Sequence, residues 1–279
     1  MFRYKITVEY DGSCFCGWQQ QGTDTEALAP AFPSLFWEDY LKNPFARPKR
    51  SSLPSVQSVL ERAVQKMTGH AVLVEGAGRT DAGVHATGQV AHFDLPTRLE
   101  PQELLSGMNF YSRAWGVSVL QVAPASENFH ARFSATSRTY LYKIVNRAAP
   151  LILDRNRAWH IASPLCVSAM QEASAFFLGS HNFQTFRSAH CQSQKPQKTL
   201  DLCDVFQMED VIGIRVKARS FLHNQVRIMA GTLVLIGKGK CPPATIANLL
   251  QKEDRTQAGP TAPAHGLYLE HVAYNRLLA

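Results

Sequence analysis

Apolar residues recur with two different periods along this chain of 279 residues, and the two periods take turns. Tyr4, Ile6, Val8 and Tyr10 alternate with Arg3, Lys5, Thr7 and Glu9, the spacing of a strand with one buried face. Val56, Val59, Leu60, Ala63, Val64 and Met67 then follow helical spacing, with Ser55 placed to cap the start and Gly69 to close the end. Further along, residues 71–75, 89–93 and 117–122 read as strands and 101–110 as a helix. The second half repeats the ingredients. Tyr140, Tyr142 and Ile144 share one strand face, Val167, Met170, Ala173 and Phe177 mark a helix, and 200–208 with 211–219 make a strand pair. A helix follows at 226–234 and a closing strand at 267–274. Intermixed strands and helices over this length predict an α/β or α+β fold of two similar units, residues 1–125 and 126–279.

Hydrophobic residues make up 45% and charged residues 18%, so a large core forms and general disorder is excluded. The net charge of +7 is concentrated: residues 126–240 hold 15 basic and 7 acidic side chains, whereas the remainder holds 14 and 15. A polyanion suits such a surface. Met1–Tyr10 contains no apolar signal core, and the longest apolar stretch, Met229–Gly237, is roughly half a membrane span. The six cysteines form no CxxC pair, and Cys14, Cys16 and the pair His190-Cys191 lack a second set of ligands. These features predict a soluble, cytoplasmic protein without a metal site or membrane association. Residues 22–54 stand apart, with five prolines, five aromatics and a basic end, Arg47-Pro48-Lys49-Arg50, and read as an insertion.

Chemistry concentrates at residues 76–88, GAGRTDAGVHATG, where four glycines frame Arg79, Asp81 and His85. The segment follows a strand but fits neither common phosphate-binding pattern. On physics alone, an Asp making a turn beside a solvent-facing Arg competes with a functional reading. Residues 129–133, FHARF, interleave aromatic and basic side chains, which suits stacking on unpaired bases and holding phosphates. Residues 190–195, HCQSQK, form a polar surface segment. In 220–231, SFLHNQVRIMAG, Arg227 sits beside an apolar helix stripe and needs a partner, with a carboxylate such as Asp81 the natural one. A non-catalytic RNA-binding protein is the competing class, and a phosphotransferase lacks its phosphate cradle.

Taken in order, GW-Q at 17–19, SVQ at 55–57, AGRTDAGVH at 77–85, GQV-HF at 88–93, FHARFSAT at 129–136, R-Y-Y at 138–142, F-H--VR--AG at 221–231 and APA-GLYL at 262–269 resemble one family. The chain is similar to the TruA-type tRNA pseudouridine synthases over its whole length except the insertion. The resemblance implies isomerisation of uridine to pseudouridine at positions 38 to 40 of the tRNA anticodon arm, without a cofactor. It also implies a mixed β-sheet built from two ferredoxin-like halves, helices packed on it, an active site in a central cleft, and a homodimer.

The resemblance assigns roles residue by residue. Asp81 is the essential carboxylate, attacking the flipped nucleotide or taking a ribose proton. Arg227 pairs with it and keeps it ionised, Tyr140 stacks on the uracil, Leu267 lines the apolar side of the base pocket, and Arg79 fills the space of the extruded base. RNA contacts fall to Phe129, His130, Ala131, Arg132 and Phe133, and to His190, Cys191, Gln192, Ser193 and Gln194. Two departures stand out. The family's link between GW-Q and SVQ is short, whereas here it spans residues 20–54, an arm expected to meet the partner subunit or RNA. Gln194 stands where a basic residue is common, with Lys195 beside it.

Overall fold

The computed structural model describes residues 1–19, 53–189, 191, 193 and 195–275. The insertion expected at 22–54 lies outside the described residues up to position 52. The described chain falls into two compact units, one of Met1–Ser134 with Tyr274 and one of Ala135–Ala273. Residues 126–134, including FHARF, therefore belong with the first unit.

In the first unit β1 (Phe2–Tyr10) lies between β3 (His85–Leu95) and β4 (Val117–Ala125), antiparallel to both. The short β2 (Glu75–Gly76) adds to the far side of β3. Helix α1 (Val56–Thr68) follows β1, and α2 (Pro101–Ser112) joins β3 to β4. The order β4-β1-β3-β2, with helices after the first and third strands, is the ferredoxin-like arrangement. The alternating face of β1 buries Tyr4, Ile6, Val8 and Tyr10, and the helices bury Val59, Leu60, Ala63 and Val64 from α1 and Leu104 and Met108 from α2. Ser55 caps α1 by accepting the Ser58 amide (3.1 Å), and Gly69 ends it in the left-handed region. The strand expected at 71–75 shrinks to Glu75–Gly76, because the Val74 amide bonds to Glu61 Oε1 of α1 (3.0 Å) instead of to a strand.

The second unit repeats the order. Strand β5 (Ala135–Asn146) is followed by the short parallel β6 (Trp159–Ile161) and by α3 (Val167–Ala175). Then come β7 (Gly179–Asn182), β8 (Gln197–Met208), β9 (Val211–Ala218), α4 (Gln225–Gly237), α5 (Thr245–Lys252) and β10 (Leu267–Tyr274). The sheet runs β10-β5-β9-β8-β7, the same ferredoxin-like sequence with β7 appended. Helix α4 is apolar nearly all round and is buried along almost its full length, as such a helix must be. Among the described residues no helix is long and apolar enough to cross a membrane.

Candidate active site

The loop between β2 and β3 carries Arg79 and Asp81 and runs into His85, the first residue of β3, and the end of β1 fixes it at several points. Tyr10 and Thr80 hydroxyls are 2.8 Å apart in a buried hydrogen bond. The Gly12 amide donates to His85 Nδ1 (3.0 Å), and the same nitrogen lies 3.3 Å from Asp11 Oδ1. Burial alone would raise the Asp11 carboxyl, but the adjacent His85 ring and the hydrogen bonds from Ser13 outweigh it and hold the group well below the usual carboxylate range. Gly17 and Asp81 form a β-bridge, and the Trp18 amide donates to the Thr80 carbonyl (3.0 Å). Gly17 has φ +126° and its α-carbon faces the Thr80 carbonyl, so a side chain there would be both strained and obstructed. The amides of Val56 and Gln57 donate to the carbonyls of Gly17 and Trp18. Three separate segments, GW-Q, SVQ and AGRTDAGVH, thus assemble into one block. It leaves Asp81 half-buried and Arg79 exposed.

In the second unit the segments 138–142, 221–231 and 262–269 converge in the same way. Tyr140 on β5 meets Phe221 edge to face, with ring centroids 5.2 Å apart. One strand position pair later, Tyr142 donates its hydroxyl to the Pro263 carbonyl (2.8 Å), and burial pushes its phenol far above the ordinary value. Leu267 is buried at the start of β10. Arg227, in the first turn of α4, donates from Nε to the Ala262 carbonyl and from NH1 to Asn224 Oδ1, both at 2.8 Å. The Ala262 amide returns a bond to the Arg227 carbonyl (3.1 Å). Such close approach of residues 259–262 to α4 requires Gly231, where a Cβ would run into the Pro260 carbonyl.

The sequence profile of the tRNA pseudouridine synthases matches residues 41–134 and 173–275. The chain belongs to this family. Its relatives include the tRNA pseudouridine synthase A of Paramagnetospirillum magneticum, 45% identical over 275 residues that span 99% of this chain and 96% of the relative. Those of Anaplasma phagocytophilum and Ehrlichia ruminantium are each 44% identical, over 98% of this chain and the whole of the relative.

Within this pseudouridine synthase fold the expected RNA-contact residues separate by burial. Phe129 and Ala131 are fully buried. Phe129 packs on Tyr274 (5.0 Å between centroids), while Ala131 donates its amide to His92 Nδ1 and accepts the Tyr274 hydroxyl. Their side chains are core, not surface. His130, Arg132 and Phe133 form the outward side, with Phe133 71% exposed, His130 tilted on it at 4.3 Å and the Arg132 guanidinium 5.6 Å from its ring centre. In the second patch His190, Gln192 and Gln194 lie outside the described residues. Cys191 accepts the His223 amide at its sulfur (3.4 Å), and the Ser193 carbonyl accepts from Arg187 (3.2 Å). On β9, Arg215 forms a two-pronged ion pair with Glu270 (2.8 and 2.9 Å), which compensates its charge.

One feature the sequence reading missed supports FHARF from behind. Arg3 grips Asp94 with two nitrogens (2.7 and 2.8 Å) and donates NH1 to the carbonyls of Glu127 (2.6 Å) and Phe129 (2.7 Å). Beside it, Glu75 faces His92 (3.6 Å) and His130 (3.5 Å) through their Nε2 atoms, a grouping with the composition of a metal site. His130 Nδ1 accepts the Arg132 amide (3.1 Å), and His92 Nδ1 accepts that of Ala131. A neutral ring that accepts at Nδ1 carries its proton on Nε2, so His130 aims a proton at the Glu75 carboxylate and not a lone pair at a cation, while His92 Nδ1 lies 3.3 Å from both the Ala131 amide and the Glu75 carbonyl.

Proposed function

We propose that this protein isomerises uridine to pseudouridine at positions 38 to 40 of the tRNA anticodon arm, with Asp81 as the group that starts the chemistry. The observation that carries the reading is the construction of the Asp81 loop. Contacts from Tyr10, Gly12, Gly17 and Trp18 hold a half-buried carboxylate in fixed geometry next to an exposed Arg79. Preorganisation of this kind is what a reacting group needs.

The reaction breaks the N1–C1′ bond and joins C1′ to C5. The C5 proton leaves and N1 gains one, so atoms and oxidation level are conserved without a redox carrier. The target base must leave the stack before C1′ can be reached, and Arg79 occupies the place it vacates. Tyr140 stacks on the uracil and stands ready to take part in the C5 proton transfer, Leu267 lines the apolar side of the base, and Arg227 offers its charge to the Asp81 carboxylate. Asp81 either adds to the flipped nucleotide or removes a ribose proton. Arg132, with His130 and Phe133, holds the phosphate backbone and an unpaired base. The protein acts in the cytoplasm as a homodimer, with one tRNA touching both subunits.

Pseudouridine mapping of a tRNA anticodon arm, after incubation with the wild type and with Asp81→Asn, tests this. Product at positions 38 to 40 with the wild type alone, and equal tRNA affinity for both, is expected. A folded wild type that binds tRNA and yields no product would leave a binding protein in place of an enzyme.

A further inference from the structure

Arg227 does not stand on its helix unaided. Asn224 immediately precedes α4 and has φ 62° and ψ 6°, the left-handed region that residues other than glycine seldom adopt. Asparagine bears this conformation at less cost than most residues, but the cost persists only where the surroundings fix it. Here they do. Gln225, fully buried, accepts the Leu222 amide at Oε1 (2.9 Å) and returns its own amide to the Leu222 carbonyl (3.1 Å). Ser188 donates its amide to the His223 carbonyl (3.1 Å), and His223 donates to the Cys191 sulfur. The turn is pinned from both sides, and its product is an Asn224 Oδ1 placed 2.8 Å from Arg227 NH1. With Nε on the Ala262 carbonyl, two of the guanidinium nitrogens are fixed, and the plane of the group is fixed with them.

We propose that Asn224 is a positioning residue that sets the direction of the Arg227 guanidinium for catalysis. The role rests on the reading of Arg227 given above. The amide oxygen is neutral, so it orients the cation and leaves intact the charge that Arg227 offers to a carboxylate, whereas an acidic residue at this place would keep the direction and only weaken that charge. The same turn carries Phe221 against Tyr140, so its geometry reaches two of the proposed active-site groups.

Asn224→Gly removes the acceptor and keeps the left-handed backbone without strain. Single-turnover rates with excess protein on an anticodon-arm tRNA are compared for wild type, Asn224→Gly, Arg227→Ala and the double variant. The expected result is a rate roughly ten-fold lower for Asn224→Gly, with unchanged tRNA affinity and melting temperature. No further loss is expected when the substitution is added to Arg227→Ala. Asn224→Asp, which keeps an oxygen at the same place, is expected to retain more of the rate than the glycine variant, and it keeps the test open if glycine loosens the turn. A purely structural role predicts the same loss in both backgrounds, and that result overturns the proposal. A wild-type rate for Asn224→Gly beside a slow Arg227→Ala overturns it alone. A wild-type rate for Arg227→Ala overturns the catalytic reading and this role together.

Discussion

At the scale of single residues, the first unit is held by a few buried polar contacts whose loss has a sign that can be worked out. The Tyr10 and Thr80 hydroxyls satisfy each other beneath the Asp81 loop. Removing one leaves the other buried without its partner, which costs more than removing both. Thr80→Val is therefore expected to cost about 1–3 kcal/mol in urea unfolding, and Tyr10→Phe a comparable amount. The double variant should lose clearly less than their sum, and strict additivity would show that the bond is not made. His92 gives a pH dependence. Burial pushes its pKa down, and the nearby His130 and Arg3 push the same way against the pull of Glu75. A histidine whose folded pKa lies below the unfolded one binds fewer protons when folded. Its contribution to stability is complete above the ordinary value of about 6.5 and is lost as pH falls from there through the lowered folded value. Unfolding curves between neutral and mildly acidic pH should accordingly fall less steeply for His92→Gln than for the wild type, and parallel curves would refute the assignment.

At the scale of elements, one arginine at the first strand decides how the FHARF segment is presented. Arg3 is planar and forked, so it can grip both Asp94 oxygens and still donate to two carbonyls of residues 127–129. Lysine keeps the charge but cannot make this set. Arg3→Lys is expected to weaken tRNA binding by about 1 kcal/mol, roughly five-fold in Kd, with the turnover of bound tRNA unchanged. Filter binding beside single-turnover kinetics separates the two, and a change in turnover alone would contradict it. Such contacts explain what sequence reading reaches and what it does not. Strand β1 and helix α1 were legible because their apolar period repeats several times. Strand β7, Gly179–Asn182, has no strand-forming residue and exists only because β8 pairs with it. Helix α5 does show Ile246, Leu249 and Leu250 at helical spacing, but it is eight residues long and has no side-chain cap. Asp81, Tyr140 and Arg227 were singled out by their motifs, whereas Arg3 and Asn224 were missed. The Arg3 partners lie 91 to 126 residues away, and the role of Asn224 depends on a backbone conformation that no spacing reveals. Inward Phe129 and Ala131 alternate with outward His130 and Arg132, but Phe133 breaks the alternation because residues 131–133 form a turn.

At the scale of the whole molecule the positive charge bears directly on how a tRNA is held. The chain carries +7 with a pI near 9.2, and the excess falls in residues 126–240. Not all of that charge is available to a ligand. Arg215 is committed to Glu270, and Arg147 to Asp210 at 2.8 Å. Arg132 is exposed beside Phe133. Each phosphate that a basic side chain neutralises releases counterions, so the logarithm of affinity falls linearly with the logarithm of salt concentration, by roughly 0.7–0.9 per contact. If Arg132 holds one phosphate, Arg132→Ala should weaken tRNA binding and also flatten this line by about one contact's worth. Arg215→Ala should leave the slope in place, since its charge is already compensated by Glu270. Binding isotherms over a series of potassium chloride concentrations read both. An unchanged slope for Arg132→Ala would remove this arginine from the RNA surface, even if its affinity falls. The slope counts charges that meet phosphate, and a loss of affinity alone could come from disturbing the His130–Phe133 stack.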